Sequence, residues 1–455
     1  MARFALGGVV SLATLLWITS FLSPDEYGIF ATILAIESTL FRVCQYGMQV
    51  HIVRAERLGR GLIVCSIGIP FLLASFAAIV AAVVFPAVAL RGIPGSRELL
   101  LIVIAILPIR TATAVVSALL ERGFRFREVA TAELAGQVLF LAAAAVFGSL
   151  YGFSARTLVC GWVIQQVVLI PSLILLARYE MRKAWTDEGD LKEDFRRAYS
   201  FGLAYSASGI LWELRGLGLP LLVTPIVGIG VAGSVALAYR IADFVFIVKG
   251  AAYRVALSTL SSIRGERNKV TDVVERASEM QVFAVMPFVA LYVVVVPLVG
   301  SAVLGDRWAG VIWLVPLAAT ASVAASVFNV GAAALWVSGK AKEMLLFLLT
   351  YIAILFWGAL AIQAVSSSFG YVLAEALACA SYALLYRATL RLIGGWSVTV
   401  PLICAACIQI AMLISPISVW GVIVLAIAFV APNVRSRGKD AILMAWSAIR
   451  KPKES

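Results

Sequence analysis

Fourteen long apolar runs, joined by short polar connections, leave this chain few ways to fold. About 20 mainly apolar residues make a helix that crosses the hydrocarbon core of a bilayer. In that core every backbone N–H and C=O must be satisfied internally, so only helices and closed barrels can span it. Continuous runs of this length select helices. They lie near 3–22, 28–49, 62–90, 98–119, 128–150, 154–178, 199–225, 231–255, 279–304, 308–337, 343–364, 368–393, 397–415 and 418–433. Composition agrees: 62% of the 455 residues are hydrophobic and 14% charged, where soluble domains are about half apolar and a quarter charged. The longest polar connection, Arg178 to Ser200, is too short for a soluble domain. The fold class is an all-α polytopic membrane protein. The first run, Phe4 to Leu22, is long enough to span and shows no clear cleavage site, so it reads as a helix and not a leader.

The charges test this count. The formal net charge is +12. On a soluble chain that would suggest nucleic acid as partner; here its distribution shows a different origin. With a cytoplasmic N-terminus, 27 of the 37 Lys and Arg fall in cytoplasmic connections and tails, and only Arg91, Arg97, Arg156 and Arg307 in outer ones. Positive charge concentrates on the cytoplasmic side of membrane proteins, and one missed span would scramble so sharp a split. Both termini are therefore expected in the cytoplasm.

Internal similarity suggests a duplicated design. Tyr27-Gly28-Ile29-Phe30-Ala31 follows the first run and Ala232-Gly233-Ser234-Val235-Ala236 the seventh, with glycines 205 residues apart. Leu119-Leu120-Glu121-Arg122-Gly123 follows the fourth and Leu335-Trp336-Val337-Ser338-Gly339 the tenth, with glycines 216 apart. Six helices per repeat give both lobes one orientation. The expected organisation is an N-lobe at 1–178, a linker at 179–198, a C-lobe at 199–393, two appended helices at 394–433 and a basic tail at 434–455.

Four stretches carry a resemblance. Phe21-Leu22-Ser23-Pro24-Asp25-Glu26-Tyr27-Gly28-Ile29-Phe30 looks like a family's first loop. Ala118 to Arg127 forms a basic-aromatic loop, Tyr239-Arg240-Ile241-Ala242-Asp243 lies in the eighth run, and Ala333 to Lys340 makes a small-residue turn. In this order and spacing they resemble the polysaccharide-transporter (O-antigen flippase, Wzx-type) branch of the multidrug/oligosaccharidyl-lipid/polysaccharide exporter superfamily. The resemblance implies two six-helix lobes and alternating access. Its implied cargo is an oligosaccharide on a polyprenyl pyrophosphate, destined for lipopolysaccharide or exopolysaccharide. The neighbouring partners are membrane lipids and the polysaccharide polymerase machinery. Many relatives carry an amphipathic stretch before the first helix, which this short N-terminus lacks.

A pyrophosphate cannot cross hydrocarbon without cationic partners. Arginine suits it, because its planar fork binds phosphate oxygens in pairs and keeps its charge at depth. Arg42, Arg110, Arg215 and Arg240 each fall mid-run and are the candidate substrate-binding cations. Charge at depth is functional by default, but pairing is the plainer alternative. Arg240 and Asp243 are three apart on one helix face and can neutralise each other; Glu213 and Arg215, two apart, do not face each other. Glu37 and Arg42, five apart, are poorly matched. Glu37, Glu213, Asp243 and Glu375 are therefore candidate ion-pair or coupling carboxylates. Lys249 is expected to snorkel to the cytoplasmic surface. Tyr205, Trp212, Tyr239 and Trp336 can stack on sugars, though packing is commoner.

No enzyme is expected. There is no Gly-x-x-x-x-Gly-Lys-Ser/Thr loop, His51 is the only histidine, and the outer connections are short. No cofactor or metal is expected. A peptidoglycan-precursor flippase and a cation-coupled multidrug exporter are the alternatives. The exporter should carry acidic residues at its centre where this chain places arginines.

Overall fold

The structure, a computed structural model, describes residues 16–55, 58–123, 125–185, 191–249, 267–363 and 369–428, with single positions between 253 and 263 and at 434 and 436. It is all-helical, with no strand among the described residues, and has about fourteen long helices. Nine of the described helices are long and apolar enough to cross a membrane, and 215–227 and 399–414 are shorter apolar helices. This is a multi-pass membrane protein, as the apolar runs require. Residues 3–15 of the first run, the end of the last and most of the basic tail lie outside the described residues. The chain divides into two compact units, Met1–Ala236 and Leu237–Ser455.

The first unit is built on α1 (Pro24–Cys44), the short α2 (Met48–Arg54), α3 (Arg60–Val88), α4 (Ser96–Arg122), α5 (Phe126–Tyr151), α6 (Ala155–Trp185) and α7 (Leu191–Leu214). Ser23 caps α1, its Oγ accepting from the Glu26 N–H at 3.3 Å, while Pro24 opens the helix and Asp25 and Glu26 face its positive end. Glu26 also accepts from the Ala155 N–H at 2.6 Å, so the start of α1 pins the start of α6. Helix α1 then packs against α3, α4, α6 and α7.

Beyond α7 the chain leaves regular geometry. A 3₁₀ turn at Arg215–Leu217 is followed by a π-helical turn at Leu219–Val223 and by α8 (Thr224–Val227). Gly216, Gly218 and Pro220 explain it: the glycines weaken the helix, and proline lacks an N–H and clashes with the preceding turn. The Leu219 carbonyl accepts from the Thr224 N–H and also from Thr224 Oγ1 at 3.2 Å. At Gly228, φ of 108° ends α8 and launches α9 (Ile229–Val245) in a conformation that side chains rarely adopt.

The second unit contains α10 (Arg267–Leu304), α11 (Ala309–Ala318), α12 (Thr320–Val337), α13 (Ala341–Gln363), α14 (Gly370–Ala378), α15 (Tyr382–Ile393), α16 (Thr399–Ile414) and α17 (Gly421–Ile427). The polar start of α10 clasps the turn after α15. Thr271 donates to the Ile393 carbonyl at 3.2 Å, and Glu275 accepts from the Ser397 N–H at 2.6 Å. Gly394, at φ 82°, closes α15 in the left-handed region. Beside this turn Trp396 packs against Gly331 of α12, where any Cβ would collide with the indole.

Candidate functional site

Three of the four candidate arginines belong to the first unit and meet where the regular helix of α7 ends. Arg42 sits in the last turn of α1, and its guanidinium pairs with Glu213 in the last turn of α7. Arg215 opens the 3₁₀ turn that follows. Five residues earlier in α1, Glu37 accepts two hydrogen bonds from Arg110 of α4. The chain thus resolves both mismatches of spacing across helices: Glu213 finds Arg42, and Glu37 finds Arg110.

The two pairs differ in kind. Glu37 is 1% exposed, and the Arg110 guanidinium lies over the Phe41 ring at 4.1 Å and near the Trp162 ring at 5.6 Å. This is a buried, ring-flanked ion pair. Arg42 keeps 49% of its side-chain surface and Glu213 keeps 20%, so that pair is partly exposed. Among the described residues of the two pairs and the bend there are three arginines and two glutamates.

Next to Arg42 the bend after α7 packs closely against α1. A Cβ on Gly216 would lie 2.5 Å from Thr39 Oγ1 and 3.8 Å from an Arg42 nitrogen. Thr39 is 1% exposed, and its hydroxyl has no hydrogen-bond partner among the described residues. Sequence reasoning missed Thr39, Gly216, Phe41 and Trp162. Thr39 was within reach of it: three residues before Arg42, it shares that helix face. Further along, Thr32 of α1 and Thr224 of α8 share a hydrogen bond at 3.0 Å. At the start of α1, Gly28 abuts the backbone of Ile229 and Gly233, so closely that a Cβ on either glycine would collide with backbone atoms.

The second unit arranges its candidates differently. Arg240 is exposed, and among the described residues it makes no ion pair with Asp243. Asp243 lies 3.7 Å from Lys249 instead. The ammonium of Lys249 also contacts Ser322 Oγ of α12 at 2.5 Å. Glu375, 2% exposed in α14, accepts from the phenols of Tyr239 and of Tyr351, the latter at 2.9 Å. Two neutral donors hold this acid, a role for Tyr239 that its aromatic character alone does not suggest. The side chains of Tyr205 and Trp212 lie outside the described residues. The cysteines are unbonded.

A broken helix thus lies beside ion-paired arginines in an all-helical multi-pass membrane protein. The sequence profile of the family described as Polysaccharide biosynthesis protein matches residues 18–313, and the chain belongs to that family. No curated protein sequence matches it. Among solved structures it is similar to the lipid II flippase MurJ in an inward closed conformation, at 12% identity over 99% of this chain and 100% of that one, with a TM-score of 0.69. It is also similar to a multidrug resistance MATE family transporter of the MOP superfamily in an inward-facing conformation, at 14% identity, covering 86% and 96%, with a TM-score of 0.61. The Vibrio cholerae MATE transporter VcmN aligns at 13% identity over 86% and 95%, with a TM-score of 0.60. At these identities the likeness is one of fold. The family match agrees with the polysaccharide-transporter resemblance of the sequence motifs.

Proposed function

We propose that this protein translocates a polyprenyl-pyrophosphate-linked oligosaccharide from the inner to the outer leaflet of a bacterial inner membrane by alternating access, without catalysing a reaction. The observation that carries this reading is the net positive group of Arg42, Arg110 and Arg215, against Glu37 and Glu213, at the bend after α7. Such a group offers charge-assisted hydrogen bonds to phosphate oxygens in a place from which water alone would not draw them. Membership of a polysaccharide biosynthesis family supplies the saccharide. Arg240 adds an exposed cation from the second unit. The polyprenyl tail stays with the membrane lipids while the head group crosses, and the product passes to a polysaccharide polymerase. Asp243 and Glu375 are the carboxylates left for coupling to an ion.

A second reading has an observation of its own: the structure similar over nearly the whole chain is described as a lipid II flippase, whose cargo presents the same diphosphate problem with a different saccharide. Cationic-drug export is disfavoured by the excess of arginine. A strain lacking the gene separates these readings through its polyprenyl-linked saccharides. Accumulation of a complete oligosaccharide unit on the inner leaflet, with peptidoglycan synthesis continuing, is the expected result. Accumulation of the peptidoglycan precursor would move the assignment to the second reading, and no accumulation of either would overturn both.

A further inference from the structure

We propose that Glu213 is a tethered counter-ion that sets a charge threshold on the site: a diphosphate displaces it from Arg42, and a head group with a single negative charge does not. This rests on the reading that the basic group of the first unit receives a diphosphate. It adds what keeps other anionic lipids out.

The two ion pairs argue for it by their contrast. Arg110 and Glu37 form a fixed pair, with the carboxylate 1% exposed and two aromatic rings flanking the guanidinium. Removing one partner there strands a charge. Arg42 and Glu213 are 49% and 20% exposed, and exchanging partners in such a pair costs little. The charged groups converging on this place are Arg42 and Glu37 from α1, Arg110 from α4, Glu213 from α7 and Arg215 from the 3₁₀ turn.

A carboxylate held on a helix competes with every anion at an effective concentration of about millimolar or above. A phosphodiester with one negative charge replaces one charge-assisted contact with another of the same kind and gains nothing. A diphosphate brings more charge and more oxygens. It can take Arg42 in the bidentate manner and still offer oxygens to Arg215. A bare, half-exposed Arg42 would collect any anionic phospholipid; with Glu213 on it, only the more highly charged head group gains by binding.

The test uses the full chain in nanodiscs of phosphatidylcholine alone or mixed with phosphatidylglycerol, with inorganic pyrophosphate as the probe in calorimetry. The wild type is expected to bind pyrophosphate equally in both discs. Glu213→Gln should bind it about tenfold more tightly in the neutral discs, the gain expected when a closed state occupied about nine-tenths of the time is removed. It should lose that gain in the discs with phosphatidylglycerol. Glu213→Asp, which keeps the charge, should fall between the two and serves if the Gln variant does not fold. Unchanged affinity in the carboxylate variants, or wild-type binding suppressed by phosphatidylglycerol, overturns the threshold while leaving the diphosphate site standing. If the wild type binds pyrophosphate no better than Arg42→Gln does, the diphosphate site itself falls, and the threshold with it.

Discussion

Single residues at depth matter through their partners. Arg110→Ala strands the Glu37 carboxylate, which is 1% exposed, and should destabilise the purified protein by about 3–5 kcal/mol in chemical or thermal unfolding. Replacing both, as Arg110→Met with Glu37→Leu, should restore most of that loss, since an apolar pair of similar volume needs no counter-charge. Arg42→Ala, in the half-exposed pair, should cost no more than about 1 kcal/mol. Equal losses for Arg42→Ala and Arg110→Ala would refute the distinction between a fixed and an exchangeable pair. His51, in α2, offers a pH-dependent case. It stacks near Phe201 with ring centroids 4.8 Å apart, and burial pushes its pKa below the ordinary 6.5, against a smaller upward pull from Asp194. The unfolded chain therefore takes up a proton at a pH where the folded one does not. This contribution to stability is complete above about pH 6.5 and is lost as pH falls below it. His51→Phe keeps a ring beside Phe201, and it should flatten the fall in melting temperature between about pH 8 and pH 5. A fall unchanged in the variant would show that other groups cause it.

Elements tell how far the sequence could be read. Length and apolarity are properties of one stretch, so α1, α3, α4, α5 and α6 are legible from their own residues. The irregular turns inside the seventh run were not legible in it. Gly216, Gly218, Pro220 and Gly228 were visible, but proline inside a membrane helix is often absorbed by its neighbours, and only packing decides between a kink and a change of helix type. Partners were less legible still: Arg42 and Glu213 are far apart in the chain, and nothing local joins them. The glycines of the two matched motifs, Gly28 and Gly233, were noticed as similar positions; that they meet is a fact of folding. The crossing they make carries a prediction for the start of α1. Gly233→Leu would drive a side chain into the Pro24 carbonyl and should destabilise the first unit by about 1–3 kcal/mol or more in thermal unfolding. Gly68→Leu, at a glycine with nothing within 4 Å of its Cβ position, is the control and should change little.

At the scale of the whole molecule, the charge distribution predicts an orientation that helix geometry alone leaves open. A helix reads the same length from either side of a bilayer, whereas lysine and arginine resist transfer to the outer face. With 27 cations assigned to one side and four to the other, each connection has a definite address. Single cysteines in a cysteine-free background test those addresses with a membrane-impermeant maleimide applied to intact cells whose outer membrane has been opened. Arg91→Cys and Arg307→Cys should label at once; Lys340→Cys and Arg391→Cys only after the inner membrane is broken. All four positions are exposed, so access to the thiol is set by the bilayer and not by burial. The comparison of Arg307 with Lys340 is the sharpest, because one apolar helix, Asp306–Val337, separates them. Labelling of both from the same side would mean that this helix does not cross, and the count of spans and the cytoplasmic placement of the basic connections would fail together.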